Sequence, residues 1–254
     1  MVTDPDTPKL ITVAEGFCVR QEVDNIAWID LGGCAVVVDA LEHAELEGEV
    51  LGLIARTLGD APVRYVLNTH THYDHTALNE AFRRRGAEIV NQGTASIPPD
   101  GRWFEGTKRK VLMLPLPGCH TDEDCVVRVE PEGALFTGDI FGWGLIPSGG
   151  LDDAMADRLL ETYRRMIDFG AETVVPGHGP LCATAELKRW VEYFRWLRRQ
   201  VGAAIAAGKG DREIRKQLPP PDDMRHWWRF LDWKHEDSLG KVLGAVRSGA
   251  LSAG

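Results

Sequence analysis

Cysteine is scarce and unpaired. Cys18, Cys34, Cys119, Cys125 and Cys182 make five in 254 residues, and no Cys-x-x-Cys occurs among them. Neither a disulfide framework nor a zinc ribbon has its usual signature here. Long apolar runs are absent too, none approaching the length that spans a bilayer, so no membrane partner is expected. The opening MVTDPDTPKL carries acid and proline instead of the basic and apolar regions of a signal peptide, which predicts a cytoplasmic protein. Positive charge is in the minority: 29 Lys and Arg face 38 Asp and Glu, a formal net charge of -9. That balance speaks against nucleic acid as a partner. The two basic runs, Arg83-Arg84-Arg85 and Arg195 to Arg199, fall in expected helices and read as solvated faces. Internal repeats and low-complexity segments are missing as well.

What is present is an ordinary globular composition, 44% hydrophobic and 26% charged, in a chain long enough for a substantial core. Short β-type runs dominate the first part: LITVA (10–14), IAWIDL (26–31) and CAVVVDA (34–40), the last two separated by Gly32-Gly33 as in a hairpin. From 44 to 58 the period changes, placing Leu46, Val50, Leu53, Ile54 and Leu58 on one helical face before Gly59. VRYVLNT (63–69) reads as a buried strand and 77–85 as a helix ending at Gly86. Further strands are expected at AEIVN, KVLMLPL, CVVRV, ALFTG and ETVVP, with a helix through Met155, Leu159, Leu160, Tyr163 and Ile167. Many short strands with helices between them predict packed sheets with helices outside. A long stripe from Leu187 to Ile205, the triple proline 219–221 and the aromatic MRHWWRFLDW set the last third apart. The expected division is therefore a core at 1–184 and a helical, aromatic-rich extension at 185–254.

The stretch NTHTHYDH (68–75) holds three of the eight histidines. In an extended segment, residues i and i+2 project to one side, so His70 and His72 reach the same point. Asp74 and His75 follow where the chain turns and aim at a neighbouring point. His120 (LPGCHTDED), Asp139 (LFTGDIF) and His178 (VVPGHGP) occupy similar strand-end contexts. One such histidine is commonly a hydrogen-bonded surface group, and an aspartate after glycine a turn residue. Four ligand-type groups at 70–75 would concentrate charge and desolvation cost with no structural return, and metal binding explains them. Nitrogen and carboxylate donors without thiolate suit zinc, and also iron or manganese.

His70-Thr71-His72-Tyr73-Asp74-His75 with His120, Asp139 and His178 resembles the ligand signature of the metallo-β-lactamase superfamily over about residues 10–184. The resemblance implies an α/β fold, a four-layer αβ/βα sandwich of two mixed sheets with metals at one edge. It implies that His70, His72 and His120 hold one zinc, Asp74, His75 and His178 a second, and that Asp139 bridges them. A bridging aspartate is the glyoxalase II-like and lactonase-like pattern, so a dedicated antibiotic-resistance enzyme is not expected. The chain departs from the family at Thr76 and Ala77, where two glycines are common, and at Cys119, which reads as a packing residue. The implied activity is hydrolysis: a metal-bridging hydroxide, oriented by Asp74, attacks the carbonyl of a small ester, lactone, thioester or amide. The alternative is a mononuclear-iron, persulfide-dioxygenase-like oxidoreductase. A phosphodiesterase is disfavoured by the acidic balance, and a non-catalytic binding module by the full ligand set.

Several roles stay open at this point. Thr69, Thr71 and Thr121 are candidate partners of the ligand imidazoles, and Asn79 a hydrogen-bonding residue of its helix or loop. Tyr73 either lines the pocket or packs beneath it. Trp227, Trp228, Phe230 and Trp233 either close over the metals or pack the tail onto the core or onto a second subunit of a homodimer. His226 and His235 are candidate substrate contacts, and the glycine-rich 144–150 is a candidate mobile loop.

Overall fold

Strand alternation sorts the apolar residues into layers. On Lys110–Pro115, Val111 and Met113 face one way and Leu112 and Leu114 the other, and all four are buried. On Ile26–Asp30, Ala27 and Ile29 oppose Ile26 and Trp28 in the same manner. Strands covered on both faces need apolar residues at successive positions, which is what these runs supply. The computed structural model describes residues 6–94 and 97–253; the first five residues of the acidic N-terminal stretch lie outside the described residues.

The first sheet contains β1 (Lys9–Ala14), β2 (Phe17–Gln21), β3 (Ile26–Asp30), β4 (Ala35–Val38), β5 (Val63–Leu67) and β6 (Glu88–Val90), in that spatial order. β1 to β4 form an antiparallel meander, whereas β5 and β6 join in parallel. Parallel neighbours require crossovers, and these contain α1 (Glu47–Leu58) and α2 (Asn79–Arg83). The second sheet has the order β11-β10-β9-β8-β7, from β7 (Arg102–Glu105), β8 (Lys110–Pro115), β9 (Cys125–Glu130), β10 (Ala134–Gly138) and β11 (Thr173–Pro176). Only β10 and β11 are parallel, and α3 (Asp153–Asp168) lies between them in the chain.

Three apolar layers result. Phe17, Ile29, Val36, Val111, Met113, Val127 and Phe136 fill the space between the sheets. Val50 and Ile54 of α1 and Phe82 of α2 pack with Trp28, Val37 and Val66 on the outer face of the first sheet. On the outer face of the second, Leu159 and Tyr163 of α3 share one cluster with Leu187, Trp190 and Phe194 of α4 (Thr184–Ala206). The same cluster takes in Ile214 of α5 (Asp211–Gln217) and Leu239 and Val242 of α6 (His235–Ser248). Each such fully buried side chain stabilises the fold by roughly 1.5–3 kcal/mol. Tyr163 and Trp190 stack at 4.0 Å, and the Tyr163 hydroxyl donates to the Ile140 carbonyl (2.9 Å), holding the chain just after Asp139. This is the expected sandwich of two mixed sheets with helices outside. Among the described residues no helix is long and apolar enough to cross a membrane.

Boundaries differ from the sequence expectation for physical reasons. The helix expected at 77–85 is regular only over Asn79–Arg83, because the Ala77 and Leu78 amides bond to the Leu41 and Ala40 carbonyls (3.1 and 2.9 Å) and draw the chain sideways. The helix expected from 44 opens with a 3-10 turn at Ala44–Leu46. β2 escapes pattern reading because Arg20 sits in it, buried against Glu22 and Glu49 at 2.6 and 2.7 Å. β7 was not expected, and α5 and α6 were expected only as part of a helical extension at 185–254, without bounds of their own. Arg83 pairs with Glu80 and both Arg84 and Arg85 with Glu47, so the first basic run is a solvated, ion-paired face.

Candidate metal centre

Four strand ends and the loops after them meet at one edge of the sandwich. β5 leads into 68–75, with Tyr73–His75 forming a single 3-10 turn that swings Asp74 and His75 away from His70 and His72. β8 leads to His120, β10 to Asp139, and β11 to His178. The two sheets are tied together there by the Cys125 amide, which donates to the Thr69 carbonyl (2.7 Å), and by the Asn25 amide, which donates to the Gly177 carbonyl (2.9 Å). Within the second sheet the Gly177 amide donates to Gly138 (2.9 Å), and within the ligand loop the Asn68 side chain donates to the His75 carbonyl (2.9 Å). Asn79 and Asn68 exchange side-chain hydrogen bonds, so Asn79 braces the turn.

All seven side chains singled out in the sequence come together. His70, His72 and His120 form one trio, and Asp74, His75 and His178 a second. His70, His75 and Asp139 form a third between them, each with ligand atoms within 4.8 Å of one another. Asp139 Oδ2 lies 3.5 Å from His120 Nε2, 4.0 Å from His70 Nε2 and 3.2 Å from His178 Nε2, while Oδ1 lies 3.3 Å from His75 Nε2. Its carboxylate thus faces both outer trios. His72 Nδ1 is 3.0 Å from His120 Nε2, and Asp74 Oδ2 is 3.5 Å from His178 Nε2.

The opposite ring nitrogens of His70, His75, His120 and His178 lie against protein oxygens, whereas His72 turns Nδ1 inward. Nδ1 of His120 faces the Pro147 carbonyl (3.2 Å), Nδ1 of His178 faces Asp24 Oδ1 (2.9 Å), and Nδ1 of His75 faces Asp39 Oδ2 (3.1 Å). His70 Nδ1 lies 3.2 Å from the Thr69 hydroxyl, which donates to Asp39. A proton held at Nδ1 leaves Nε2 as a lone-pair donor turned into the cluster. Asp39 does this from a left-handed backbone (φ +58°), a costly conformation for a non-glycine residue that tertiary contacts must enforce. Asp124 organises the His120 loop, accepting from the amides of Cys119, His120 and Thr121 and from the Thr121 hydroxyl.

The donor set fits a pair of cations. His70 Nε2, His75 Nε2, Asp74 Oδ1 and Asp139 Oδ1 are buried and make no hydrogen bond. Each such group costs roughly 1–3 kcal/mol unless something satisfies it. Burial, aided by the neighbouring His75, presses the His70 imidazole down to about 2. Burial also resists charge on His75 and His178, yet the carboxylates of Asp39, Asp139 and Asp24 outweigh it, raising His75 well above its ordinary value and His178 to about 10. Those carboxylates favour positive charge at the cluster, and a bound cation would displace the two imidazole protons.

Asp39 and Asp24 were not singled out in the sequence. The only hint at Asp39 was a carboxylate directly after a buried strand. The Asp39→Asn variant is expected to bind zinc about 10–100-fold more weakly with its helix and strand content unchanged, read by competition with a chelator. Parent-like affinity would remove Asp39 from this role.

Other expectations fare variously. Of the three threonines, only Thr69 reaches an imidazole; Thr71 bonds Glu123 and Thr121 bonds Asp124. Tyr73 neither lines the cleft nor packs beneath it: it is 70% exposed. The Cys119 thiol is buried, turned away to Thr162 (3.3 Å), and pushed up to about 11 by burial, so it packs. His235 is buried between the Tyr193 hydroxyl and the Leu218 carbonyl, both at 2.9 Å, with no nitrogen left for substrate. His226 lines a separate groove of about 870 Å³. The segment 144–150 is anchored: the Ile146 amide donates to Ser238, Lys241 donates to the Ile146 carbonyl, and the Trp190 indole donates to the Leu145 carbonyl, at 2.8–3.0 Å. Trp227 and Phe230 pack against Phe141, Trp143 and Tyr193. Trp228 and Trp233 instead line a cleft of about 310 Å³ together with Asp74, His120, Asp139 and His178.

A family model described as the metallo-beta-lactamase superfamily matches residues 20–90. A hydroxyacylglutathione hydrolase of Anaeromyxobacter dehalogenans is 33% identical over 171 residues, 63% of this chain and 63% of that protein. A metallo-beta-lactamase from Pontibacter korlensis has a similar fold, with a TM-score of 0.60 at 20% identity over 74% of this chain and 98% of that one. A double mutant of a sec-alkyl sulfatase gives a TM-score of 0.72 at 12% identity, taking in 97% of this chain and 51% of its own. The chain spans between 37% and 63% of the length of the curated relatives it matches. Sequence match and shared fold converge on the metallo-beta-lactamase superfamily.

Proposed function

We propose that the chain is a metal-dependent hydrolase of small carbonyl substrates. Two divalent ions, zinc with iron or manganese also compatible, would be held by His70, His72 and His120 and by Asp74, His75 and His178, with Asp139 available to both. The observation that carries this reading is the convergence of seven ligand side chains whose buried donor atoms have no protein partner. Two bound cations supply Lewis acidity there, lowering the pKa of water from about 15.7 toward 7 and polarising a carbonyl.

The chain's own groups do the rest. Asp39, Asp24 and the Pro147 carbonyl hold the imidazoles in the tautomer that turns Nε2 inward. Asp74, with Oδ1 buried and unbonded, accepts a hydrogen bond from the attacking water and orients it. Phe141, Trp228 and Trp233 wall the cleft with apolar surface and limit water around the ester, lactone, thioester or amide. A cleft of about 310 Å³ admits a small molecule, met in the cytoplasm on this reading. The hydroxyacylglutathione hydrolase relative favours an ester-like or thioester-like substrate. The mononuclear-iron oxidoreductase gains no observation of its own, since the second trio offers a full three-ligand set.

Zinc-loaded protein is expected to hold two equivalents of metal and to hydrolyse members of a panel of chromogenic esters, lactones, thioesters and a β-lactam. One iron per chain with thiol-dependent oxygen uptake, or two zinc ions with no turnover on the panel, would overturn the reading. The Trp228→Ala variant should keep its metal and change the ratio of kcat/KM between panel members by about fivefold or more. Identical ratios would return Trp228 to packing alone.

A further inference from the structure

One wall of the cleft comes from the C-terminal segment. Arg229, in a left-handed conformation (φ +52°), leads into a single π-helical turn at Phe230–Lys234, and Trp228 stands just before it. Trp228 is buried and lines the metal cleft. Its indole lies flush on Gly179, the residue after His178: a Cβ built there would come within 2.6 Å of Trp228 Cδ2. Gly179 is itself fixed, its amide donating to the Val23 carbonyl (3.0 Å) and its carbonyl accepting from the Asn25 side chain (2.8 Å). That packing gives the ring a floor. The second side-chain torsion of a tryptophan has broad wells, however, so a contact at the ring's edge is needed to fix its tilt.

Asp6 makes that contact from the other end of the chain. Its Oδ1 accepts the Trp228 indole N–H at 2.7 Å across 222 positions of sequence, and its Oδ2 accepts from the Arg229 guanidinium at 2.7 Å. The Arg229 guanidinium and the Lys234 ammonium lie 4.7 and 4.1 Å from the centre of the Trp228 ring, within cation–π range. Burial resists ionisation of Asp6, but hydrogen bonds from Arg229 and Trp228 outweigh it and hold the carboxyl below its ordinary value. A charged acceptor makes both bonds stronger than neutral ones. The Asp6 side chain is 33% exposed and precedes β1, so trimming it opens no core cavity. We propose that Asp6 is a positioning residue of the metal cleft: through it the N-terminal segment sets the plane of Trp228, against which the apolar part of a substrate packs. Asp6 touches neither substrate nor metal and acts through the indole. This rests on the hydrolase reading above and adds what sets the selectivity of that site.

The test uses zinc-loaded parent, D6A, D6N, W228F and D6A/W228F proteins with p-nitrophenyl phenylacetate and p-nitrophenyl acetate, which differ only in the phenyl group of the acyl part. D6A is expected to raise KM for the phenylacetate ester by about fivefold or more relative to the acetate ester, with kcat and zinc content kept. D6N, which keeps an acceptor but no charge, should fall between parent and D6A. The indole N–H resonance that is missing in W228F identifies Trp228 in nuclear magnetic resonance spectra, and it should shift in D6A. In the W228F background D6A should change the KM ratio by less than about twofold, because the two side chains act as one unit. An unchanged ratio in D6A overturns the proposal. So do equal losses on both esters, which would mean that Asp6 only stabilises the fold, and an effect of D6A that persists without the indole. If the parent hydrolyses neither ester, the hydrolase reading fails and the same spectra, titrated with phenylacetate and with acetate, judge Asp6. Loss of phenylacetate preference in D6A then upholds the positioning role, and parent-like preference overturns it. Should D6A fail to fold, D6N decides on the same readings, a parent-like KM ratio counting against the proposal.

Discussion

The Asp139→Asn variant is expected to bind at most one equivalent of zinc and to lose about a thousandfold in turnover while keeping its secondary structure. Its carboxylate is the group that faces both outer trios, with oxygens 3.2–4.0 Å from four imidazole nitrogens. An amide of the same shape fits the space but brings no charge, and its NH2 end turns donors toward the cations. Burial resists ionisation of Asp139, but His178 and His75 outweigh it and hold the carboxyl well below its ordinary range, so it is charged at any working pH. Catalytic metals contribute several kcal/mol to transition-state stabilisation, and 1.36 kcal/mol is a factor of ten; the thousandfold figure follows. Metal analysis and steady-state kinetics check it. Parent-like zinc content together with parent-like turnover would show that Asp139 does not bridge.

The second large effect removes no ligand. A Cβ built on Gly177 would collide with Asp139 Oδ1, and would lie 2.8 Å from His75 Cε1 and 3.1 Å from the Gly138 carbonyl carbon. The glycine before His178 is therefore what lets β10 and β11 bring Asp139, His75 and His178 to one place. Gly177→Ala is expected to destabilise the fold by about 1–3 kcal/mol through overpacking. Displacing the ligands by a fraction of an ångström to an ångström should cost about a hundredfold in turnover, with zinc falling below two equivalents. Gly149→Ala is the control, since a Cβ there meets nothing within 4 Å. Thermal unfolding, metal content and kinetics measured side by side decide it. If Gly177→Ala matches Gly149→Ala in all three, steric exclusion at Gly177 plays no part in the site.

Legibility in the sequence followed the range of the interaction. His70, His72, Asp74 and His75 lie within six residues, where backbone period alone says which side chains share a direction. His120, Asp139 and His178 were readable because each follows a strand and has a glycine within two residues. Asp39 was not readable, because its role depends on a left-handed backbone and on the parallel pairing of β4 with β5. Asp24 and His178 are 154 residues apart, and only the packing of one sheet on the other puts them 2.9 Å from each other. The mobile loop expected at 144–150 fails for the same reason: its anchors, Trp190, Ser238 and Lys241, are on distant helices.

By itself, the sequence determined the layered α/β architecture and the seven candidate ligands that the fold brings together, because alternation and strand-end chemistry are local. Which indoles reach the cleft, which nitrogen of each histidine turns inward, and the burial of Lys234 were decided only by tertiary structure. Those outcomes depend on how elements far apart in the chain cross and share space. No periodicity along the chain encodes that.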